Sequence, residues 1–407
     1  MTHVGRRVVI TGQGVVSSLG MNAAQHLEGL REGRSGVAQM SLIDTEGLQI
    51  QIAAEAKQFD GTEHFSRDQI TFFDRVTQMA VFASREAVEQ SGISFDNESA
   101  FRSATIIGTS MGGQHTQDDN YRRIYRENKK RVHPFLVPRL MANAPVSWVS
   151  MEHGLKGPAY SISTACASSN HAIGQAFHMI RSGTVDAALA GGAESGLTFG
   201  VIKAWEGMRV MSRVACRPFS ANRDGMVHGE GAAIFVLEEL ESAKARGANI
   251  LGEICGFGMS ADAGDIVQPS LEMASYTIKA ALEDARINPS EVRHINAHGT
   301  ATMLNDRTEC AAIRAALGDH AEAITLTSTK SMHGHCIGAA GAIEMVATLQ
   351  ALSGTLPPTI NFEEPDPDCD LDIVINEARN DDVPVVLSNS FAFGGLNAVL
   401  ALRRFDD

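Results

Sequence analysis

Cysteine is sparse in this chain and never paired: six residues (Cys166, Cys216, Cys255, Cys310, Cys336 and Cys369) lie in 407, with no C-x-x-C spacing. That scatter excludes a disulfide framework or a cysteine-based zinc site and leaves reduced thiols. Long apolar runs are also missing. The start, Met1-Thr-His-Val-Gly-Arg-Arg, leads straight into the short run Val8-Val9-Ile10, and no later run reaches membrane-spanning length. Positive charge is in deficit, with 34 Lys and Arg against 48 Asp and Glu for a net charge of −14. Nucleic acid and anionic membrane are therefore poor general partners. Two glycine-rich stretches, Gly108-Thr-Ser-Met-Gly-Gly and Ala190-Gly-Gly-Ala-Glu, lack the Walker lysine and the G-x-G-x-x-G spacing, so nucleotide binding is not expected. No HExxH, Cys/His ligand set or EF-hand spacing occurs, so no metal is expected. These absences together predict a soluble cytoplasmic protein.

What the chain does contain is an alternating pattern. Its 44% hydrophobic and 20% charged content is that of a globular protein, and its 38 glycines cluster at corners. Short β-branched runs (Arg7–Thr11, Ala104–Ile107, Ala187–Ala190, Ala233–Leu237, Ile250–Ile254, His294–Ala297, Thr325–Ser328, Val385–Asn389, Ala398–Leu402) read as strands. Amphipathic stretches between them (Asp74–Gln90, Asn170–Ser182, Ser270–Ala285, Asp306–Leu317, Ala339–Leu352) read as helices. Alternation of this kind predicts an α/β fold with a mainly parallel sheet covered on both faces. No Pro/Ser-rich linker divides the chain. A weak internal repeat pairs Ser163-Thr-Ala-Cys-Ala-Ser-Ser-Asn-His-Ala-Ile-Gly with Ser328-Thr-Lys-Ser-Met-His-Gly-His-Cys-Ile-Gly, either a duplicated corner or chance likeness of small residues. The first half carries an insertion rich in Arg, Lys, His and Pro, roughly residues 122–150.

Three segments carry chemistry. Cys166 sits at a tight corner with a helix starting at once, where unpaired backbone N–H groups favour a thiolate and aim at an oxyanion. Its thiol pKa is expected to be lowered. His298 ends a strand before Gly299, and the hydroxyls of Thr300 and Thr302 suit an amide-bearing substrate arm. His335, preferred over His333, opens a helix of tiny residues that keeps its imidazole neutral. Lys330 at a strand-end corner needs a partner, and Glu344 is the candidate. Asp306 is expected only as a helix N-cap. In Ser388-Asn-Ser-Phe-Ala-Phe-Gly-Gly-Leu-Asn, Phe391 and Phe393 serve either as core anchors or as gates of an acyl channel, with Gly394 and Gly395 freeing the turn.

With Cys166, His298 and His335 in this order, the chain resembles the β-ketoacyl-acyl-carrier-protein synthases of the thiolase superfamily, elongation type I/II. The likeness runs from Arg7-Val-Val-Ile-Thr-Gly-Gln-Gly through Arg217-Pro-Phe-Ser-Ala-Asn-Arg-Asp-Gly-Met-Val-His-Gly-Glu-Gly-Ala to the Phe-Ala-Phe-Gly-Gly turn. It implies a duplicated five-layered α/β/α/β/α fold in two halves, 1–248 with the nucleophile and the insertion and 249–407 with the two histidines, usually as a homodimer. It further implies that Cys166 takes an acyl group from the phosphopantetheine thioester of acyl carrier protein. Malonyl-carrier protein then loses CO2, and its carbanion attacks the acyl-enzyme. His298 and His335 would bind the malonyl carbonyl, and the N–H groups of Cys166 and Phe393 would form an oxyanion hole. Lys330 and Glu344 would order the site, Phe391 and Phe393 would gate it, and Thr300 and Thr302 would hold the pantetheine arm. No dissociable cofactor is implied, because the phosphopantetheine arrives on the substrate.

The chain departs from that family's pattern at Ala392, where glycine is usual, and at Leu396, where threonine is usual. Met111 falls where, in that family, a residue at the dimer interface limits the acyl pocket; its long flexible side chain would either shorten the pocket or yield to substrate. Lys129, Lys130 and Arg131 form a basic patch suited to an acidic carrier protein, and Arg67 and Arg75 are the basic residues retained near the first docking helix. These departures motivate an alternative: a specialised synthase for an unusual fatty acyl, nodulation-factor or polyketide-like chain. A noncatalytic heterodimer partner is the second alternative, opposed by the intact Cys-His-His set.

Overall fold

The computed structural model describes residues 5–406; Met1–Val4, the beginning of the N-terminal segment read above, and Asp407 lie outside it. The first half supplies β1 (Val8–Ser17), β2 (Ser103–Gly108), β3 (Ala159–Ile162), β4 (Ala187–Glu194) and β5 (Gly231–Glu239). The second supplies β6 (Gly252–Ala261), β7 (His294–Asn296), β8 (Thr325–Thr327), β9 (Val385–Ala392) and β10 (Leu396–Arg403). Their spatial orders, β3-β2-β4-β5-β1 and β8-β7-β9-β10-β6, match position for position. The first three strands of each order are parallel neighbours, and the last two pairings are antiparallel, so the sheet is mixed and not the mainly parallel one expected. Val8–Ile10 also pairs with Gly252–Ile254, joining both halves into one eleven-stranded sheet whose far edge is Asp372–Ile373.

Helices cover this sheet in a repeated way. Helix α1 (Arg75–Ser91) lies on β1 and β5. Helix α5 (Leu271–Ala285) lies on β6 and β10. The approach is close because glycines face them. A Cβ on Gly12 or Gly14 would come within 2.1 or 2.0 Å of a carbonyl oxygen of α1, and one on Gly256 or Gly258 within 2.5 or 2.3 Å of one of α5. Between the two halves, α3 (Ser168–Arg181) and α7 (Ala340–Leu352) pack against each other, each on its own half's strands. Outer helices, sheet, inner helix pair, sheet and outer helices make the thiolase-like five-layered arrangement.

The duplicated corner exists in a different register from the one expected. Ala165 (φ 48°) and Ile337 (φ 42°) each open a 3-10 turn, Ala165–Ala167 and Ile337–Ala339, that runs into α3 or α7. Cys166 therefore corresponds to Gly338. Among the elements not read from the sequence are β3, whose Ala-Tyr-Ser-Ile is poor in β-branched residues, and α4 (Phe199–Met208). Helix α6 (Met303–Leu317) starts before Asp306, so that residue is not its N-cap. Asp306 is instead buried in the first turn, accepting from Phe219 N–H at 2.8 Å and facing Arg223 at 3.6 Å. No helix among the described residues is long and apolar enough to cross a membrane.

Candidate active site

Four loops at the corresponding ends of both halves bring the chemistry together. The corner before α3 carries Cys166, the turn after β7 carries His298, the corner before α7 carries His335, and the β9–β10 turn carries Phe393. The Cys166 sulfur and one ring nitrogen from each histidine all lie within 4.8 Å of one another. The two imidazoles meet edge to face, with ring centres 5.5 Å apart.

Cys166 is buried, and burial pushes its thiol up to about 12, against the pull of Lys330 and of the Phe393 and Cys166 backbone N–H groups that face its sulfur. This corrects the expectation of a lowered pKa: desolvation outweighs the helix N-terminus. At rest the Cys166 side chain is a thiol, with the backbone N–H groups of Phe393 and Cys166 facing its sulfur.

Both histidines are held neutral, burial first and Lys330 next pulling each well below its ordinary value. His335 Nδ1 accepts the Ile337 N–H at 3.2 Å, so its proton is on Nε2, which has no partner. A buried N–H donor without an acceptor is thus set beside the sulfur. His298 is fixed through its backbone. Its N–H and that of Gly299 donate to the Glu309 carboxylate at 2.7 and 2.8 Å, and Asn389 steadies the same carboxylate at 3.1 Å. Glu309 was missed in the sequence, although its place one turn after Asp306 on the same helix face was a usable signal.

Lys330 and Glu344 form a fully buried ion pair behind the histidines, as their placement implied. Thr300 and Thr302 line the cavity in front of Cys166, their hydroxyls 3.0 Å apart. Phe391 and Phe393 line it from the other side. Gly394 (φ 83°) and Gly395 (φ 69°) supply the left-handed turn after them, whereas Ala392, still in β9, needs no such conformation. Met111 does not line this cavity. It packs against the apolar cluster behind it, its N–H directed at Glu194 at 3.3 Å. The cavity, about 280 Å³, also has Trp205 in its wall.

The basic residues divide. Lys129, Lys130, Arg131 and Arg67 are exposed. Arg75 is not free for docking: its guanidinium clamps the buried Glu230 carboxylate with contacts of 2.7 and 2.9 Å and also donates to the Ala56 and Phe59 carbonyls. A carboxylate inside the fold had no local sequence signal to pair it with Arg75.

Comparison with known proteins places this geometry. Residues 5–243 match the family model for the Beta-ketoacyl synthase N-terminal domain and residues 251–363 that for the Beta-ketoacyl synthase C-terminal domain. The chain is 46% identical over 401 residues to nodulation protein E of Rhizobium sp. (strain N33), covering 98% of this chain and 99% of that one. It is 40% identical over 409 residues to 3-oxoacyl-[acyl-carrier-protein] synthase 2 of Staphylococcus aureus (strain N315), with the same coverage. Among solved structures, the ishigamide ketosynthase/chain length factor superposes with a TM-score of 0.95 at 38% identity, over 99% of this chain and 100% of that one.

Proposed function

The chain belongs to the β-ketoacyl synthase family, and from that premise we propose that it condenses malonyl-acyl-carrier protein with an acyl group held on Cys166. The convergence of Cys166, His298 and His335 within 4.8 Å carries the reading. In the first half-reaction the Cys166 sulfur bonds the acyl carbon and the pantetheine C–S bond breaks. The Cys166 proton passes to the pantetheine sulfur. The oxyanion would lie against the N–H groups of Cys166 and Phe393, which already face that sulfur. In the second, the bond from the malonyl methylene to its carboxylate breaks, CO2 leaves, and the electron pair becomes an enolate. His335 Nε2–H, with His298 beside it, donates to the enolate oxygen; a neutral donor suits this because it need not give up its proton. The enolate carbon bonds the acyl carbon, the acyl C–S bond to Cys166 breaks, and the departing thiolate takes up a proton from water.

The carrier protein would dock on Lys129, Lys130 and Arg131, an exposed basic patch on a chain of net charge −14. Edge strand β3, with Ala159 and Tyr160 exposed, offers unpaired backbone to a second copy, consistent with a homodimer. The substrate remains to be chosen. Greater identity to nodulation protein E than to the Staphylococcus aureus synthase, 46% against 40%, favours a specialised acyl chain over housekeeping fatty-acid elongation. Intact-protein mass spectrometry after incubation with acyl-carrier proteins of graded length tests both levels. Acyl mass on wild type and none on Cys166→Ala is expected; uptake by the alanine variant, or elongation at an unchanged rate without the thiol, would refute the assignment. A wild type that takes up no acyl group would point to the noncatalytic partner instead.

A further inference from the structure

Two of the six free thiols, Cys310 and Cys369, stand outside the cavity wall and against each other. Cys310 is on α6, and Cys369 is on the surface segment 363–370. Arg307, Cys310 and Arg314 fall at i, i+3 and i+7, one face of that helix. The segment is pinned along this face on both sides of Cys369. Arg307 Nε reaches the Asp368 carboxylate at 3.1 Å and that of Asp366 at 3.4 Å. Arg314 donates to the Asp370 carboxylate at 2.8 and 3.1 Å and to the Asp370 carbonyl at 3.3 Å. Cys369 thus lies between the clamps as Cys310 lies between the arginines, and both belong to one apolar cluster with Ile313 and Leu371. Contact with the Cys369 thiol, ahead of burial, raises the pKa of Cys310.

Both thiols are buried, but their cover differs. The Asp368 and Asp370 side chains that flank Cys369 are 59% and 60% exposed, and the ion pairs that hold them are open to water. Exposed pairs contribute little, so local opening of the segment uncovers Cys369 at small cost. The two elements that meet here also serve the site. Glu309, next to Cys310, holds the His298 N–H at 2.7 Å. Asp366, whose carbonyl accepts the Cys369 N–H at 2.9 Å, accepts from Arg223 Nη1 at 2.6 Å. Arg223 in turn donates to the Thr302 and Met303 carbonyls, each at 3.2 Å.

We propose that Cys310 and Cys369 are a peroxide-responsive thiol pair whose disulfide staples α6 to segment 363–370. Peroxide first oxidises Cys369: one oxygen is transferred to the sulfur, the O–O bond breaks and water leaves. The Cys310 sulfur then bonds to the Cys369 sulfur, the S–O bond breaks, and hydroxide departs with the Cys310 proton as a second water. Two thiols are oxidised and one peroxide is reduced. The sulfurs, already in contact, close to about 2.05 Å. Cys166 takes no part, so the proposal stands apart from the reading of that residue as nucleophile.

The test treats the folded full-length protein with hydrogen peroxide, alkylates the remaining thiols in urea, and maps the digest by mass spectrometry without reductant. A peptide pair joined through Cys310 and Cys369, two hydrogens lighter than its parts and separated by dithiothreitol, is expected. The bond closes a loop of about 60 residues in the unfolded chain, so oxidation should raise the urea midpoint by about 1 M, reversed by dithiothreitol. Cys310→Ala and Cys369→Ala, each first shown to unfold cooperatively when reduced, should lose both the joined peptide and the rise; either variant alone suffices. Cys166→Ala should keep both. Folded wild type whose Cys310 and Cys369 are still alkylated after peroxide overturns the proposal. So does a joined peptide that forms only once urea has unfolded the chain, or a midpoint rise that persists in an alanine variant of the pair.

Discussion

Replacing Arg75 by methionine separates a structural role from a docking role. The guanidinium holds both oxygens of Glu230, whose side chain has no exposure, and the same carboxylate accepts from the Ala56 N–H and the Ser195 hydroxyl. Burial works against the ionised carboxylate, yet Arg75, followed by the charge of His115 and the hydrogen bond from Ser195, carries Glu230 from 4.5 down to about 2. A shift of that size is on the order of 3 kcal/mol of stability at neutral pH. Because the folded pKa lies below the unfolded one, this stability is fully present above about pH 4.5 and is lost as pH falls through about 2. Arg75→Met should therefore lower the unfolding free energy by about 3 kcal/mol or more at pH 7, since the carboxylate left behind is also unpaired and buried. The deficit should shrink by about 1 kcal/mol at pH 4 and by about 2 kcal/mol at pH 3. Urea titrations of both proteins across that range read it directly. Carrier-protein KM, measured where the variant remains folded, should not change. A deficit independent of pH would refute the ion-pair reasoning, and a several-fold rise in KM with unchanged stability would restore Arg75 to the docking surface.

Three charge reversals on the basic patch, Lys129, Lys130 and Arg131 to Glu, should raise KM for the carrier protein with kcat retained, and the difference should fade as salt rises; an unchanged KM removes that patch from the interface. Both site histidines are neutral with pKa values depressed by burial and Lys330, so decarboxylation of malonyl-carrier protein should be flat from about pH 6 to about pH 8. A fall in rate near the ordinary histidine pKa would show that one of them titrates during turnover. The same depressed values bear on stability with a definite sign. The unfolded chain binds protons at these histidines below about pH 6.5 while the folded one does not, so stability should decline as pH drops below that point. Denaturant midpoints that stay constant from pH 7 to about pH 5 would contradict the buried, neutral state.

The sequence marks those parts of the site that require unusual local geometry. Cys166, His298 and His335 each stand at a corner of small residues, and such corners are visible in one dimension; so is Lys330, an ammonium at a place that needs a partner. The alternation of apolar runs likewise exposes the α/β class. What escaped depends on contacts between distant segments. Arg75 and Glu230 are 155 residues apart, and the Cys166 thiol is faced by the backbone N–H of Phe393 from the distant β9–β10 turn. Trp205 sits on α4, whose buried Val201, Ile202 and Trp205 do fall at helical spacing, so that helix was legible although unread; its place at the cavity wall was not. The duplicated corner shows why even a real repeat is faint. Where the first half puts the Cys166 thiol, the second puts Gly338, whose N–H donates to Glu194 at 3.1 Å and whose Cβ, were there one, would come within 2.4 Å of that carboxylate. Glu194 in turn accepts from the Ser110 N–H at 2.6 Å, tying the corner before α7 to the loop after β2. One corner carries a thiol and the other has no room for a side chain, so the likeness that the shared backbone retains is faint in the sequence.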